Sequence, residues 1–378
     1  MRATDHRNID LVKLNSDIIK GRTKKVLWQP RINCWYDDKV FLGEELPGEL
    51  KGMSRSEMYR SLGVSARTYE FGAVIQLKPD ESGKVIYKGK WLNEMEHFSE
   101  IETPVGTISQ IMRKNTSNPG MYYKKWFIEK PEDIKVATYV RDSQNFEFRQ
   151  DLYDEVAKEW GDLGLPCLFM PRCNIQHCFV EMLGVENTTY ALMDEPELME
   201  DYFRSIEESN LRYIDAFLDS PLEWINYGDN IHGGVLSPRW YEQYVLPEYL
   251  KRGEKLHKHG IFIHSHWDGD VKPLLKYAKI SALDGIEAIT PTPQGDVTVE
   301  EVKEALGDQV YLIDGIAALL FEETFPEEML IEQTEFLLKN FGGKLILGIS
   351  DEMASRGNIE RVKLVTKLVD DYNAGIKE

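Results

Sequence analysis

The chain is poor in cysteine: Cys34, Cys167, Cys173 and Cys178 are its complement, and none follows residue 178. Four thiols so clustered do not make a secreted disulfide framework, so a reduced, cytoplasmic protein is expected. No apolar run approaches the roughly 18–20 residues needed to span a bilayer. The amino terminus also lacks the apolar core of a signal peptide, and no membrane association is expected. Basic residues are short as well. Lys and Arg number 45 against 64 Asp and Glu, a formal charge of −19, and no dense basic cluster stands out. That balance disfavours nucleic acid, whose binding depends on neutralising phosphates. It equally disfavours a substrate carrying many carboxylates.

What remains is an ordinary globular composition, 42% hydrophobic and 29% charged, able to bury a sizeable core. The length suits two average domains or one large α/β domain with insertions. Residues 1–25 read as a helix closed by Gly21, and Val26-Leu27-Trp28 as a first strand. Between residues 69 and 130 the pattern becomes hairpins: 71–77 and 84–87 flank a turn at 79–83, and 105–112 and 122–127 flank another at 115–120. Beyond Pro131 helices and buried strands alternate. A long helix spans 194–218 with Pro196 in its first turn. Ser237-Pro238 opens another, which Pro247 should kink and Gly260 should stop. Thr298 with Glu301, and Thr324 with Glu327, match the capping box, and Asn358 can cap the last helix. Strand-and-helix units of roughly 30–45 residues imply parallel pairing through right-handed crossovers.

Several short apolar runs end in a polar residue. The sharpest is Ile261-Phe262-Ile263-His264-Ser265-His266-Trp267-Asp268. Side chains at i and i+2 of a strand point the same way, so His264 and His266 can share a metal ion or a polar ligand. The run 165–170 leads to Arg172, 224–227 to Asp229, 285–286 to Glu287, 310–313 to Asp314, and 344–349 to Ser350-Asp351-Glu352. Polar residues at the carboxyl ends of successive buried strands are the layout of a parallel α/β barrel. The expected fold is therefore α/β, a (β/α)8 TIM barrel with an early antiparallel hairpin insertion. Residues 1–378 are expected to form one domain, with the 69–130 excursion inserted after the first strand.

The segment Leu236-Ser237-Pro238-Arg239-Trp240-Tyr241-Glu242-Gln243-Tyr244-Val245-Leu246-Pro247 precedes the His-x-His strand. With Asp284-Gly285-Ile286-Glu287, Asp314-Gly315-Ile316, Gly348-Ile349-Ser350 and Asn358-Ile359, it resembles the carboxyl-terminal half of the uroporphyrinogen decarboxylase superfamily. The resemblance runs from about residue 166 to the end. It implies a (β/α)8 barrel that is either a porphyrinogen decarboxylase or a methyltransferase working with a corrinoid protein. True decarboxylases carry an Arg-rich segment after the first strand. Here Trp28-Gln29-Pro30-Arg31-Ile32-Asn33-Cys34-Trp35 has one Arg and two Trp, too few charges to grip a many-carboxylate tetrapyrrole. The thiol-methylating branch binds zinc through His-x-Cys and a later Cys, where this chain has His264, His266 and Ser350. The resemblance then implies zinc on His264, His266 and Glu287, a two-His, one-carboxylate set. Such a set is harder than a thiolate one and suits an oxygen-bound methyl group. No Asp-x-His-x-x-Gly motif is present, so the corrinoid would come on a separate protein.

Each candidate has an alternative reading. His264 and His266 could instead hold an anionic substrate group without metal. Glu287 could be a general acid with a raised pKa, and Asp351 or Glu352 could replace it as ligand. Asp229 is a catalytic candidate and Asn230 and His232 are substrate-binding candidates, although Asp and Asn also cap turns readily. Asp314 reads as a turn residue before Gly315 or as a catalytic one. Arg31 and Arg172 could bind a substrate carboxylate or pair with surface acids. Trp35 could line an aromatic pocket, with Trp28, Tyr36 and Trp267, or belong to the core. The leading expectation is a methyltransferase component moving a methyl group from a small methylated substrate, a methoxylated aromatic for example, to a corrinoid protein. The alternatives are a cofactor-free decarboxylase using Asp229 or Glu287 to handle a proton, and a non-catalytic ligand-binding barrel.

Overall fold

A computed structural model describes residues 9–80 and 82–376. Its centre is a sheet of seven parallel strands, in the spatial order Leu27–Trp28, Leu345–Ser350, Tyr311–Ala317, Gly285–Glu287, Phe262–Trp267, Trp224–Ile231, Leu168–Met170. Residues 65–68 join the two ends of this series. The Ser65 amide donates to the Trp28 carbonyl at 3.1 Å, and Thr68 bridges Pro166 in parallel. This is a (β/α)8 barrel architecture with a short, irregular second position. Helices Pro196–Asp215, Leu246–His257, Glu327–Phe341 and Ile359–Ala374 are among those packed outside.

The alternation of the strands divides the side chains between two compartments. Leu27, Leu165, Cys167, Trp224, Phe262, Tyr311, Ile313 and Ile346 turn inward and form an apolar cluster at the amino-terminal end of the barrel. Ile263, Trp267, Ile225, Leu312 and Leu347 turn outward into the larger core beneath the helices. The helix Leu11–Ile19 closes the lower end. Its Ile18 packs on the inner cluster, its Asn15 side chain accepts from the Leu165 amide, and the Tyr311 hydroxyl donates to the Ile18 carbonyl. Phe262 belongs to this floor, so its in-phase neighbours His264 and His266 stand above it, toward the strand ends. That is where barrel sites lie.

Several local expectations are met. Gly21 has φ +64° just after the first helix. Ser237 caps and Pro238 opens its helix, Thr298 with Glu301 forms the capping box, and Asn358 caps the last helix. The proline at 247 is accommodated by a wider π turn over Tyr241–Val245 before Leu246–His257. Thr324 does not cap, because the helix begins later, at Glu327, with Pro326 in the capping position. The segment before the 79–83 turn pairs differently from a local hairpin. Ile75–Leu77 lies antiparallel to Phe146–Phe148, while Ile86–Trp91, Glu96–Thr103, Gly106–Lys114 and Met121–Lys125 make a separate four-stranded antiparallel sheet. No described helix is long and apolar enough to cross a membrane.

Candidate active site and metal-binding group

Above the apolar floor the barrel interior turns polar within one layer. Strand register sets Asn226 beside His264 and His266 beside Glu287. Glu287 is fully buried and receives donors from every side. His264 Nε2 and Asn226 Nδ2 each lie 2.7 Å from Oε2, and His266 Nδ1 lies 3.0 Å from Oε1. Arg67 and Arg31 approach Oε1 at 3.0 and 3.3 Å. Burial pushes the carboxyl pKa up, but the two guanidiniums and the two histidine hydrogen bonds override it and hold it well below the usual range. Glu287 is therefore an anion with little lone-pair capacity left. A general acid needs the opposite shift.

The two histidines differ. Trp224 Nε1 donates to His264 Nδ1 at 2.8 Å, so the His264 proton sits on Nε2 and points at Glu287. Both ring nitrogens are then engaged, and burial lowers the imidazole pKa in spite of the neighbouring carboxylate. His264 is a neutral strut. His266 spends only Nδ1 on Glu287, and its Nε2 faces Asp351 Oδ1 at 3.6 Å and Asp268 Oδ2 at 3.9 Å. Burial lowers its pKa, but the Glu287 hydrogen bond and charge, with Asp351, raise it overall. These surroundings favour a cation at Nε2.

Among the described residues, His266, Asp268 and Asp351 form one group whose ligand atoms all lie within 4.8 Å of one another. One imidazole and two carboxylates are compatible with zinc. The Asp268 Oδ1 atom supports the fit, being buried without a hydrogen-bond partner. Glu287 behind Nδ1 supplies the outer carboxylate that orients a metal-binding histidine. A ligand set of His264, His266 and Glu287 lacks this freedom, since His264 has no lone pair to offer and Glu287 is saturated. Asp351, an alternative to Glu287 in the sequence, is the one that lies in this group. Glu352 instead pairs with Arg31 Nη2 at 3.2 Å and accepts from the Cys34 amide.

Arg31 joins the group from the first strand's end. Its side chain is 7% exposed, and its Nη1 atom reaches Asp351, Glu287 and, at 3.6 Å, Asp314. Arg67 clamps Asp314 through both Nη atoms, holding that residue at φ +77°. The strand beside it must be glycine there, because a Cβ on Gly348 would stand 2.2 Å from Asp314 Oδ1. Burial lifts the Asp314 carboxyl to about 6, with Arg67 and Arg31 opposing and Glu287 reinforcing. Arg172 donates to Asn230 Oδ1 at 2.8 Å, and Asn230 Nδ2 donates to Asp268 at 3.4 Å. His232 accepts from the Gly234 amide and lies against Gly269, on the rim.

Two candidates are not brought to the site. Asp229 faces the outer compartment. It accepts from the Cys173 amide at 2.7 Å and from the Tyr249 hydroxyl at 2.5 Å, and that hydroxyl also meets Ser265. Trp35 is a buried packing residue whose indole donates to the Gly357 carbonyl. Conversely, Arg67, Asn226, Trp224 and Asp268 were missed from the sequence. Asp268 was accessible there, because it continues the alternation of His264 and His266 by two residues. Arg67 lies in the short 65–68 segment, which lacks the run of apolar residues that marks a strand.

A (β/α)8 barrel with a polar, charge-clamped mouth is the class that fold and site define. A family model, uroporphyrinogen decarboxylase (URO-D), matches residues 178–372, just over half of the chain. The chain belongs to that family. No curated protein matches. Among solved structures, a methyltransferase from Methanosarcina mazei is similar at 13% identity with a TM-score of 0.50, over 69% of this chain and 75% of that one. A B12-independent methionine synthase from Shewanella, in complex with selenomethionine, is 9% identical with a TM-score of 0.35, over 93% and 96% of the two chains. At such identity the first likeness supports the fold.

Proposed function

We propose that this chain is a methyltransferase component that takes a methyl group from a small methylated substrate, a methoxylated aromatic by preference, and passes it to a separate corrinoid protein. The observation that carries the reading is the division of labour between the histidines, which leaves His266 Nε2 facing Asp268 and Asp351. His266, Asp268 and Asp351 are the residues that would hold zinc. When bound there, the ion would supply Lewis-acid polarisation of a substrate oxygen. The chain's own residues do the rest. Glu287 fixes the His266 proton on Nδ1, Arg31 steadies Asp351, and Asn230 steadies Asp268 from the side of Arg172. Arg172 retains part of its surface at the mouth and is the residue to meet an anionic group on the substrate. We also read the whole chain as one barrel domain, with the antiparallel sheet as its insertion.

Metal analysis and methyl-transfer assays test the reading together. Full-length protein should hold about one zinc per chain, and it should demethylate an aryl methyl ether in the presence of reduced cobalamin. His266→Ala and Asp351→Asn should lose both metal and activity. A His264→Gln variant that lost zinc while His266→Ala kept it would overturn the ligand assignment. Decarboxylation of an aromatic acid without any methyl transfer would overturn the function.

A further inference from the structure

Two buried donors beside the metal-binding group have no acceptor. Arg31 places Nη1 and Nη2 on carboxylates, yet its Nε–H has no partner, and the Tyr69 hydroxyl is likewise buried and unpartnered. The two belong to one neighbourhood, the Arg31 guanidinium carbon standing 5.8 Å from the centre of the Tyr69 ring. Unpaired buried donors are costly, and two of them in one neighbourhood call for an acceptor that the protein itself does not supply. The wall next to them is aromatic. Phe169 meets the Tyr69 ring edge-on at 5.0 Å and lies so close over Gly228 that a Cβ there would come within 2.0 Å of the ring. The chemistry accepted is thus an oxygen attached to a flat apolar ring.

We propose that the Tyr69 hydroxyl and the Arg31 Nε–H cradle the phenolic oxygen of an aryl methyl ether, and that Tyr69 hydrogen-bonds this oxygen as the methyl group departs. This rests on the methyl-transfer reading. In the step, the reduced corrinoid of the partner provides the electron pair for the new bond to the methyl carbon. The carbon–oxygen bond breaks and its electron pair stays on the phenolic oxygen. That oxygen, now an anion, accepts the hydrogen bonds from Tyr69 and Arg31, and no proton has to leave either residue. Hydrogen bonds to charged groups are the stronger class, so the contact gains strength as charge develops.

The test is Tyr69→Phe, which removes a hydroxyl with no protein partner and so should leave the thermal midpoint of unfolding unchanged. Binding of para-nitrophenol, followed by its phenolate absorbance, should weaken about tenfold or more, while binding of benzoate stays the same. In methyl transfer, kcat should fall more with anisole than with para-nitroanisole, whose better leaving group needs less help. Equal turnover of both ethers by the variant and the parent would overturn the cradle while leaving the methyl-transfer reading intact. Selective loss of nitrophenol binding, in a protein that demethylates no ether, would support the cradle and sink the methyl-transfer reading. Parallel losses of nitrophenol and benzoate, or a clear drop in the thermal midpoint, would overturn the cradle.

Discussion

The lower and upper halves of the barrel interior are built on the same strands and the same alternation, yet they are opposites. The lower half is closed by Trp224, Phe262, Tyr311, Ile313 and Ile346 over a helical plug. The upper half buries Glu287, Asp314, Arg31, Arg67 and both histidines. Burying charges is rarely a net gain over apolar packing of the same volume, so the upper half is retained for what it does, and the lower half offsets its cost. The joint between them is Trp224, apolar by its packing and polar by the N–H that fixes His264.

Removing the anion at the centre of the upper half should have the largest effect. Glu287→Leu strands two guanidiniums and two imidazoles, and should lower unfolding stability by about 3–5 kcal/mol and, in the methyl-transfer reading, abolish zinc binding. Chemical denaturation and metal content check both arms. If the variant is as stable as the parent, the upper half is not held by its charges. In the lower half, Ile313→Ala should cost about 2–3 kcal/mol and leave the metal content proposed for the upper half unchanged. A coupled loss of metal there would show that the halves are not separable.

A pH profile sharpens the comparison further. The Asp314 carboxyl is raised from its ordinary 3.8 to about 6 in the folded protein. Over that interval the folded state holds a proton that the unfolded state has released. Its contribution to stability is therefore fullest below the unfolded value and is lost as pH rises through about 6. Asp314→Asn should flatten this part of the stability profile, and an unaltered slope would contradict the burial argument. The smallest effect belongs to Tyr311→Phe, which removes the hydrogen bond to Ile18 and should cost about 1 kcal/mol. Proton exchange at the amides of Leu11–Ile19 should quicken with no change at the mouth.

Much of this division was readable. The polar residues at strand ends, their order and the 3.6-residue patterns between them specify a barrel with its site at one end. Parity went further than it was taken. Counting from Trp224, Asn226 falls inside and Asp229 outside, and counting from His264, Asp268 falls inside. What the strands do across the barrel was not readable. That Trp224 fixes the proton of His264, and that two arginines from separate segments saturate Glu287, depends on register between stretches far apart in sequence. The short position at 65–68 is also invisible, since its inward residue is an arginine. The 71–77 segment finds its partner some seventy residues on rather than across the next turn, because Ile75–Leu77 pairs with Phe146–Phe148.

The helix that seals the lower end has a consequence for traffic. With Leu11–Ile19 packed under the barrel, the approach to the interior that the described residues leave is from the strand ends. In the methyl-transfer reading a large partner must bring its corrinoid to that same doorway. The small substrate would have to be seated before the partner docks, and the demethylated product would have to wait until it leaves. An enzyme so arranged should run in compulsory order, and excess partner protein should slow it by keeping the doorway shut.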